Sequence, residues 1–291
     1  GDNFAPKTIS NYTDVFSGIT VHGNLTIGNN FMPNANDSWP YYTFTQATIS
    51  GDLSIGNDFM TKQTNGDLDT MFWITVSGNM SIGDNFMPNA TKTSRMFYSS
   101  SLHSLSLGNN FLPKATDFSS FFDNATFGSG FSFPAGFGSA ATNMSNMFAY
   151  ATLPADFSLP AGFGNVATNM SSMFTWVTLP ANFSLPAGFG SVAADMGSMF
   201  WGASLPTTSF SLPAGFGNVA TNMNYMFINA TLNDDIDWSD TDLTASTATK
   251  SSMFQGVTWN GHFILAQNQT SVDWLIDGTG ATAANVKVKG S

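Results

Sequence analysis

The chain is 291 residues long, 42% apolar but only 9% charged, with a net charge of -11 and no cysteine. Eight basic residues scattered through an acidic chain give no electrostatic footprint for nucleic acid, and an anionic membrane would repel it. The lack of cysteine excludes disulfide staples and Cys-based metal sites, and no apolar run approaches the ~18 residues of a membrane span.

A repeat of about 26 residues runs through nearly the whole chain, marked by Phe16, Phe44, Phe72, Phe97, Phe122, Phe148, Phe174, Phe200, Phe227 and Phe254. Self-similarity of this kind means one supersecondary unit stacked on copies of itself, which is a solenoid. In chain order, Leu25-Thr26-Ile27, Leu53-Ser54-Ile55, Met80-Ser81-Ile82 and Leu105-Ser106-Leu107 share one register, continued by Phe131-Ser132-Phe133, Phe157-Ser158-Leu159, Phe183-Ser184-Leu185 and Phe210-Ser211-Leu212. Period-two alternation predicts strands with the apolar pair inward and Ser or Thr outward. Ile236-Asp237-Trp238 and Phe263-Ile264-Leu265 are expected to extend the series. Four residues past each strand a Phe returns to the core: Phe31, Phe59, Phe86, Phe111, Phe137, Phe163, Phe189 and Phe216. Gly and Pro between the two suit a corner.

The rest of each coil carries Asn-Met-Ser-x-Met-Phe, clearest at Asn143 to Phe148 and Asn169 to Phe174. Met144, Met147 and Phe148 are spaced i, i+3, i+4, which predicts one helical turn with an apolar core face. A second short strand follows, at Thr20-Val21, Thr48-Ile49, Thr75-Val76, Thr152-Leu153, Thr178-Leu179, Ser204-Leu205 and Thr231-Leu232. The expected fold is a β-rich, leucine-rich-repeat-like solenoid of about ten coils of 25–28 residues over 1–270, each with short strands and one helical turn. Residues 271–291 read as a degenerate terminal coil or partial cap.

The phrases ATNMSNMF, ATNMSSMF and ATNMNYMF, alternating with FSLPAGFG, resemble the BspA-like surface proteins, over about residues 16 to 270. The resemblance implies a solenoid with surface, adhesive or host-contact roles and no catalytic residues. It carries over no site residue and no binding partner.

The two ends match in phase. Gly1-Asp2-Asn3-Phe4 copies Gly83-Asp84-Asn85-Phe86, and Asn285-Val286-Lys287-Val288 reads like Asn24-Leu25-Thr26-Ile27. The start inside a repeat, without an initiator Met, reads as a mature or excised form of something longer. An uncapped end that matches the other end forms a head-to-tail interface, and one that does not close a ring builds a filament. Gly1, Asp2, Asn3 and Phe4 would then meet Val286, Val288 and Gly290 of a second copy. Alternatively the chain is a piece of a longer array and the matched phase is trivial.

Eleven sequons are present, at Asn11, Asn24, Asn36, Asn79, Asn89, Asn124, Asn143, Asn169, Asn182, Asn229 and Asn268. Asn143 and Asn169 fit better as rungs of an Asn ladder along the stack, whereas Asn11, Asn36, Asn89, Asn124, Asn229 and Asn268 are the glycosylation candidates. The Ser/Thr column from Thr26 to Ser211 is either a ligand face or a small-residue row that lets coils stack. His22, His103 and His262 occupy non-equivalent places without a nucleophile beside them. Asp234, Asp235, Asp237, Asp240 and Asp242 could hold Ca²⁺, but their spacing matches no calcium loop and favours a solvated acidic turn. No phosphate loop, zinc motif or hydrolase elbow occurs. The expectation is a secreted, non-enzymatic structural protein without cofactors, outside the cell or on its surface. It would stack head to tail on copies of itself and carry N-linked glycans, with no nucleic acid and no membrane insertion. The competing expectation is a monomeric surface adhesin that binds a host, matrix or glycan partner.

Overall fold

The computed structural model describes residues 2–3, 14–34, 42–64, 68–208, 210–244 and 246–290. The fold is a β-solenoid of about nine turns with parallel strands and almost no helix. Its contacts divide into two compact units, Gly1–Ala141 and Thr142–Ser291.

In the first unit the alternating segments form strands β1 (Thr20–Val21), β2 (Leu25–Ile27), β3 (Ala47–Ile49), β4 (Leu53–Ile55), β5 (Ile74–Ile82), β6 (Ser101–Leu107) and β7 (Thr126–Phe127). Two parallel ladders result, β1-β3-β5-β6-β7 and β2-β4-β5-β6, with the longer β5 and β6 serving both. Leu25, Leu53, Met80 and Leu105 stand in one row and Thr26, Ser54, Ser81 and Ser106 in the next. The first row faces the core and the second faces solvent. Between the ladders the coils approach so closely that a Cβ on Gly78 would lie 2.6 Å from the Gly51 carbonyl. Glycine at this corner is what permits backbone on backbone.

In the second unit, strands β8 (Phe210–Ser211), β9 (Ile236–Asp237), β10 (Ile264–Ala266) and β11 (Val286–Val288) pair in that order, all parallel. The coils before β8 keep only single bridges such as Thr178↔Ser204. Proline limits strand length here: Pro154, Pro160, Pro180, Pro186 and Pro206 follow the apolar residues where the ladder would continue, and proline has no N–H to donate. Two expectations therefore need correcting. The LPAGFG coils lack two full strands, and the strand expected at Phe263-Ile264-Leu265 lies one residue later. Ile264 and Leu265 pair with Ile236 and Asp237, and Ile264 is buried, whereas half-buried Phe263 lies under the Lys287 ammonium.

The Met-Phe corner is not a helical turn, and this is the main correction. Asn146 and Tyr150 have φ of 55° and 57°, Ser172 and Trp176 57° and 55°, and a right-handed helix does not tolerate such residues. N–H groups instead go two ways. Met147, Ala149 and Ala151 donate to carbonyls three residues back, while Met144, Asn146, Phe148 and Tyr150 donate to Asn169, Ser171, Met173 and Thr175 of the next coil. The corner is thus a run of tight turns that hydrogen-bonds along the stack as a strand does. The same i, i+3, i+4 spacing still sends Met144, Met147 and Phe148 into the core.

Columns of phenylalanine fill that core. Phe148, Phe174, Phe200 and Phe227 are fully buried and stacked, with centroids 5.6, 5.6 and 5.2 Å apart. In the first unit Phe31, Phe59, Phe86 and Phe111 stack at 4.9–5.1 Å. Each buried ring contributes about 1.5–3 kcal/mol by leaving water, and each offset pair somewhat more.

Among the described residues one α-helix occurs, α1 (Gln269–Ile276). Asn268 caps it, its Oδ1 accepting from the Ser271 N–H at 2.8 Å, and Val272 and Leu275 are buried. It begins two residues before the stretch read as a degenerate coil or partial cap and runs into it. No helix among the described residues is long and apolar enough to cross a membrane.

Candidate functional site

The Met-Phe corner of the second unit positions the surface with most chemical character. The residues just after the Met-Phe pair fall at the end of the turn run, outside the core: Tyr150, Trp176 and Trp201. With Tyr225 on the same corner they are the large aromatic side chains of this unit most open to solvent, 55%, 51%, 38% and 45% exposed. Tyr150 and Trp176 hold left-handed positions that the next coils give to Gly202, Asn229 and Gly256. An aromatic residue costs roughly 1–2 kcal/mol there, while glycine and asparagine adopt it readily. Stability alone therefore does not account for these two rings.

Beside them lies an open trough of about 590 Å³. Tyr150 and Trp176 rise from it, Leu179, Leu205 and Pro180 form apolar floor, and the polar edge is Thr152, Thr178, Ser204 and Asn233. Asn233 Nδ2 donates to Ser204 Oγ at 3.0 Å and to the Leu205 carbonyl at 2.6 Å. The exposed hydroxyls of Thr152 and Thr178 make no hydrogen bond among the described residues. No charged side chain lines the trough. Trp176 is held flat over the next coil, since a Cβ on Gly202 would come within 2.6–2.8 Å of its ring atoms. Farther along the corner, Trp201, Tyr225 and Ile228 enclose a smaller apolar hollow of about 180 Å³.

The residues singled out from sequence lie elsewhere. Gly1, Phe4, Asn11 and Asn36 fall outside the described residues. Asp2 and Asn3 sit in repeat register: Asp2 Oδ1 accepts from the Asn29 N–H at 2.8 Å, and the Asn3 N–H donates to the Asn29 carbonyl. That pattern repeats as the N–H of Asn57, Asp84 and Asn109 donates to Asn29, Asn57 and Asp84, an Asx ladder along the first unit. In the second unit Val286 is buried, Val288 is half-buried, and both pair with β10, while Gly290 is exposed. Lys289 Nζ reaches Asp237 at 2.6 Å. Burial disfavours the charge of Asp237, but hydrogen bonds from Lys289 and Ser239 outweigh it and hold its pKa below the ordinary carboxylate value.

Among the sequon asparagines, Asn89 Nδ2 donates to the Thr61 carbonyl and Asn124 Nδ2 to Ser99 Oγ, so both amides already take part in inter-coil bonds. Asn268 is the α1 cap. Asn229 is exposed at its left-handed position, with Oδ1 packed over Gly256. Asn143 and Asn169 stand on adjacent coils in parallel bridges, each accepting from the N–H and hydroxyl of the Ser two residues on. His22 and His103 are exposed.

Asp234, Asp235 and His262 come together, with ligand atoms within 4.8 Å of one another. One imidazole and two carboxylates suit a divalent transition ion. However, Asp235 Oδ1 already accepts from the Phe263 N–H, and Asp234 Oδ1 from the Asp235 N–H. Asp237 turns to Lys289, and Asp240 and Asp242 are exposed.

Comparison with known proteins finds no matching family model, no matching curated protein and no matching solved structure.

The exposed rings were missed because they neighbour the Met-Phe core and were absorbed into it. The available signal was variation: the two positions after Met-Phe read Ala149-Tyr150, Thr175-Trp176, Trp201-Gly202, Ile228-Asn229 and Gln255-Gly256 within an otherwise constant phrase.

Proposed function

We propose that this chain is a non-enzymatic binding scaffold of the extracellular or cell-surface kind, an adhesin-like array that grips its partner with the Met-Phe corner. The observation that carries the reading is the row Tyr150, Trp176, Trp201 and Tyr225, the large aromatic side chains of the second unit most open to solvent, on one corner of a unit whose Phe148, Phe174, Phe200 and Phe227 are fully buried. Exposed aromatic clusters of this kind mark interaction surfaces. A kinship with BspA-like surface proteins, suggested by the ATNMSxMF phrase, fits an adhesive role. The test is solid-phase binding of the full chain to surfaces coated with extracellular polysaccharide and matrix protein. Binding should survive 1 M salt, where exposed charges are screened within about 3 Å. It should be lost when all four aromatics are replaced by alanine. Binding that salt abolishes and the replacements leave intact would defeat the reading.

A second reading, head-to-tail stacking into a filament, is favoured by Asp2 and Asn3, which occupy the same Asx rung as Asn29 and Asn57 and so receive a coil as an internal repeat does. It requires the far edge of β11 to accept a further strand. Lys287 on that strand, and α1 packed beside it, oppose this, because a lysine on an edge deters pairing. Negative-stain electron microscopy separates the two readings: filaments that vanish when residues 285 to 291 are deleted support stacking, and discrete particles with or without the deletion remove it.

A further inference from the structure

We propose that the trough between Tyr150, Trp176 and Asn233 is a binding site for a neutral oligosaccharide of linked pyranose rings; this deepens the scaffold reading and rests on it. Four features lead to that chemistry.

The first is the pair of exposed rings on adjacent coils. Their faces suit the C–H faces of a pyranose, which is amphipathic in the same way as the trough, apolar across the ring and polar at its rim. The second is the hydroxyl row. Thr152, Thr178 and Ser204 stand at one place on successive coils, and strand neighbours lie about 4.8 Å apart, so the row offers regularly spaced donors and acceptors to a regularly spaced chain of sugar hydroxyls. The third is pre-organisation. Asn233 Nδ2 is committed to Ser204 Oγ and the Leu205 carbonyl, which fixes the amide and leaves Oδ1 to accept from a ligand. Trp176 is likewise held over Gly202. Side chains already placed lose little freedom on binding. The fourth is charge. The lining holds no ionisable cation or carboxylate, and the chain carries a net charge of -11. Sulfated or uronate-rich glycans and nucleic acids would find repulsion and no partner, so the site selects neutral sugars. At about 590 Å³ the trough lies within the range of small-molecule sites, and its open sides let a chain run through it.

The experiment is titration of the full chain, followed by tryptophan fluorescence and calorimetry, with cellohexaose, xylohexaose, chitohexaose and laminarihexaose as neutral probes and a heparin-derived hexasaccharide as the anionic one. At least one neutral probe should bind and the anionic probe should not. Trp176→Ala should weaken binding about tenfold, equivalent to about 1.4 kcal/mol. Trp176→Phe should retain part of the affinity, and Thr178→Val should weaken binding several-fold. Trp73→Ala, an exposed tryptophan of the first unit, should leave binding unchanged. An unchanged near-ultraviolet circular dichroism baseline outside the tryptophan bands verifies that each variant is folded. The inference is overturned if no neutral probe binds, if the anionic probe binds as well as the neutral ones, or if Trp176→Ala leaves the affinity unaltered. Should the probes fail while the chain still binds coated surfaces through Trp201 and Tyr225, the trough falls and the scaffold reading stands.

Discussion

Replacing Gly202 by alanine should show whether Trp176 is held in place by the coil beneath it. Two costs are expected. Gly202 has φ of +64°, where a Cβ costs roughly 1–2 kcal/mol. The added carbon would also lie 2.6–2.8 Å from Cδ2, Cε2 and Cε3 of Trp176, so the ring must leave its rotamer at a further ~0.5–1.5 kcal/mol. Gly18 supplies the control, having φ of +66° with nothing within 4 Å of its hypothetical Cβ, so Gly18→Ala measures the backbone term alone. Gly202→Ala should therefore cost about 1.5–3.5 kcal/mol, which lowers the melting temperature by roughly 3–14 °C for a unit of this size. Thermal unfolding followed by circular dichroism reads the stability, and tryptophan emission reads the ring. In a Trp176→Ala background the same change should cost only the ~1–2 kcal/mol of the backbone term. If Gly202→Ala costs no more than Gly18→Ala, or costs the same with and without the indole, Trp176 is not held by this contact.

Phe174→Ala should cost about 3–5 kcal/mol in chemical denaturation, because it empties a fully buried site between Phe148 and Phe200, whereas Trp176→Ala, two residues on, should stay within about 0.5 kcal/mol. Asn57→Ala removes the acceptor for the Asp84 N–H and should cost about 0.5–1.5 kcal/mol, with Asn57→Asp close to neutral because a carboxylate accepts in the same place. The carboxyl of Asp123 is pushed up by burial, partly offset by a Ser120 hydrogen bond and the charge of Arg95. A raised folded-state pKa means stability that is full below the ordinary carboxylate value and lost as pH rises through the folded value. Asp123→Asn should accordingly be more stable than the parent at pH 7, with the gain disappearing at low pH; denaturation midpoints across that window check it.

The alternating strands and the Phe columns were legible because both rest on spacing, which survives in one dimension. Leu53-Ser54-Ile55 can bury its outer pair only as a strand, and Phe59, four residues later, has nowhere to go but the core. The Met-Phe corner was not legible as a turn run, because Met144, Met147 and Phe148 satisfy a helical face equally well. The residues that break the helix, Asn146 and Tyr150, are not the glycines that announce positive φ. The second unit lost strand length to prolines that the repeat alignment passed over, and the Phe263 register slipped because aromatic size outweighed phase. The trough was out of reach for a different reason. Tyr150, Thr178, Ser204 and Asn233 belong to four successive coils, so the site exists only once the coils are stacked.

The most direct measurement of the scaffold reading is oxidative footprinting of the full chain, free and bound to the polysaccharide- and protein-coated surface, with modification read residue by residue by mass spectrometry. Binding should protect Tyr150, Trp176, Trp201 and Tyr225, with no change along the exposed column Val166, Val192 and Val219 on another corner of the same coils. Protection confined to that valine column or to the β11 edge, with the four aromatics as reactive as in the free chain, would contradict the scaffold reading.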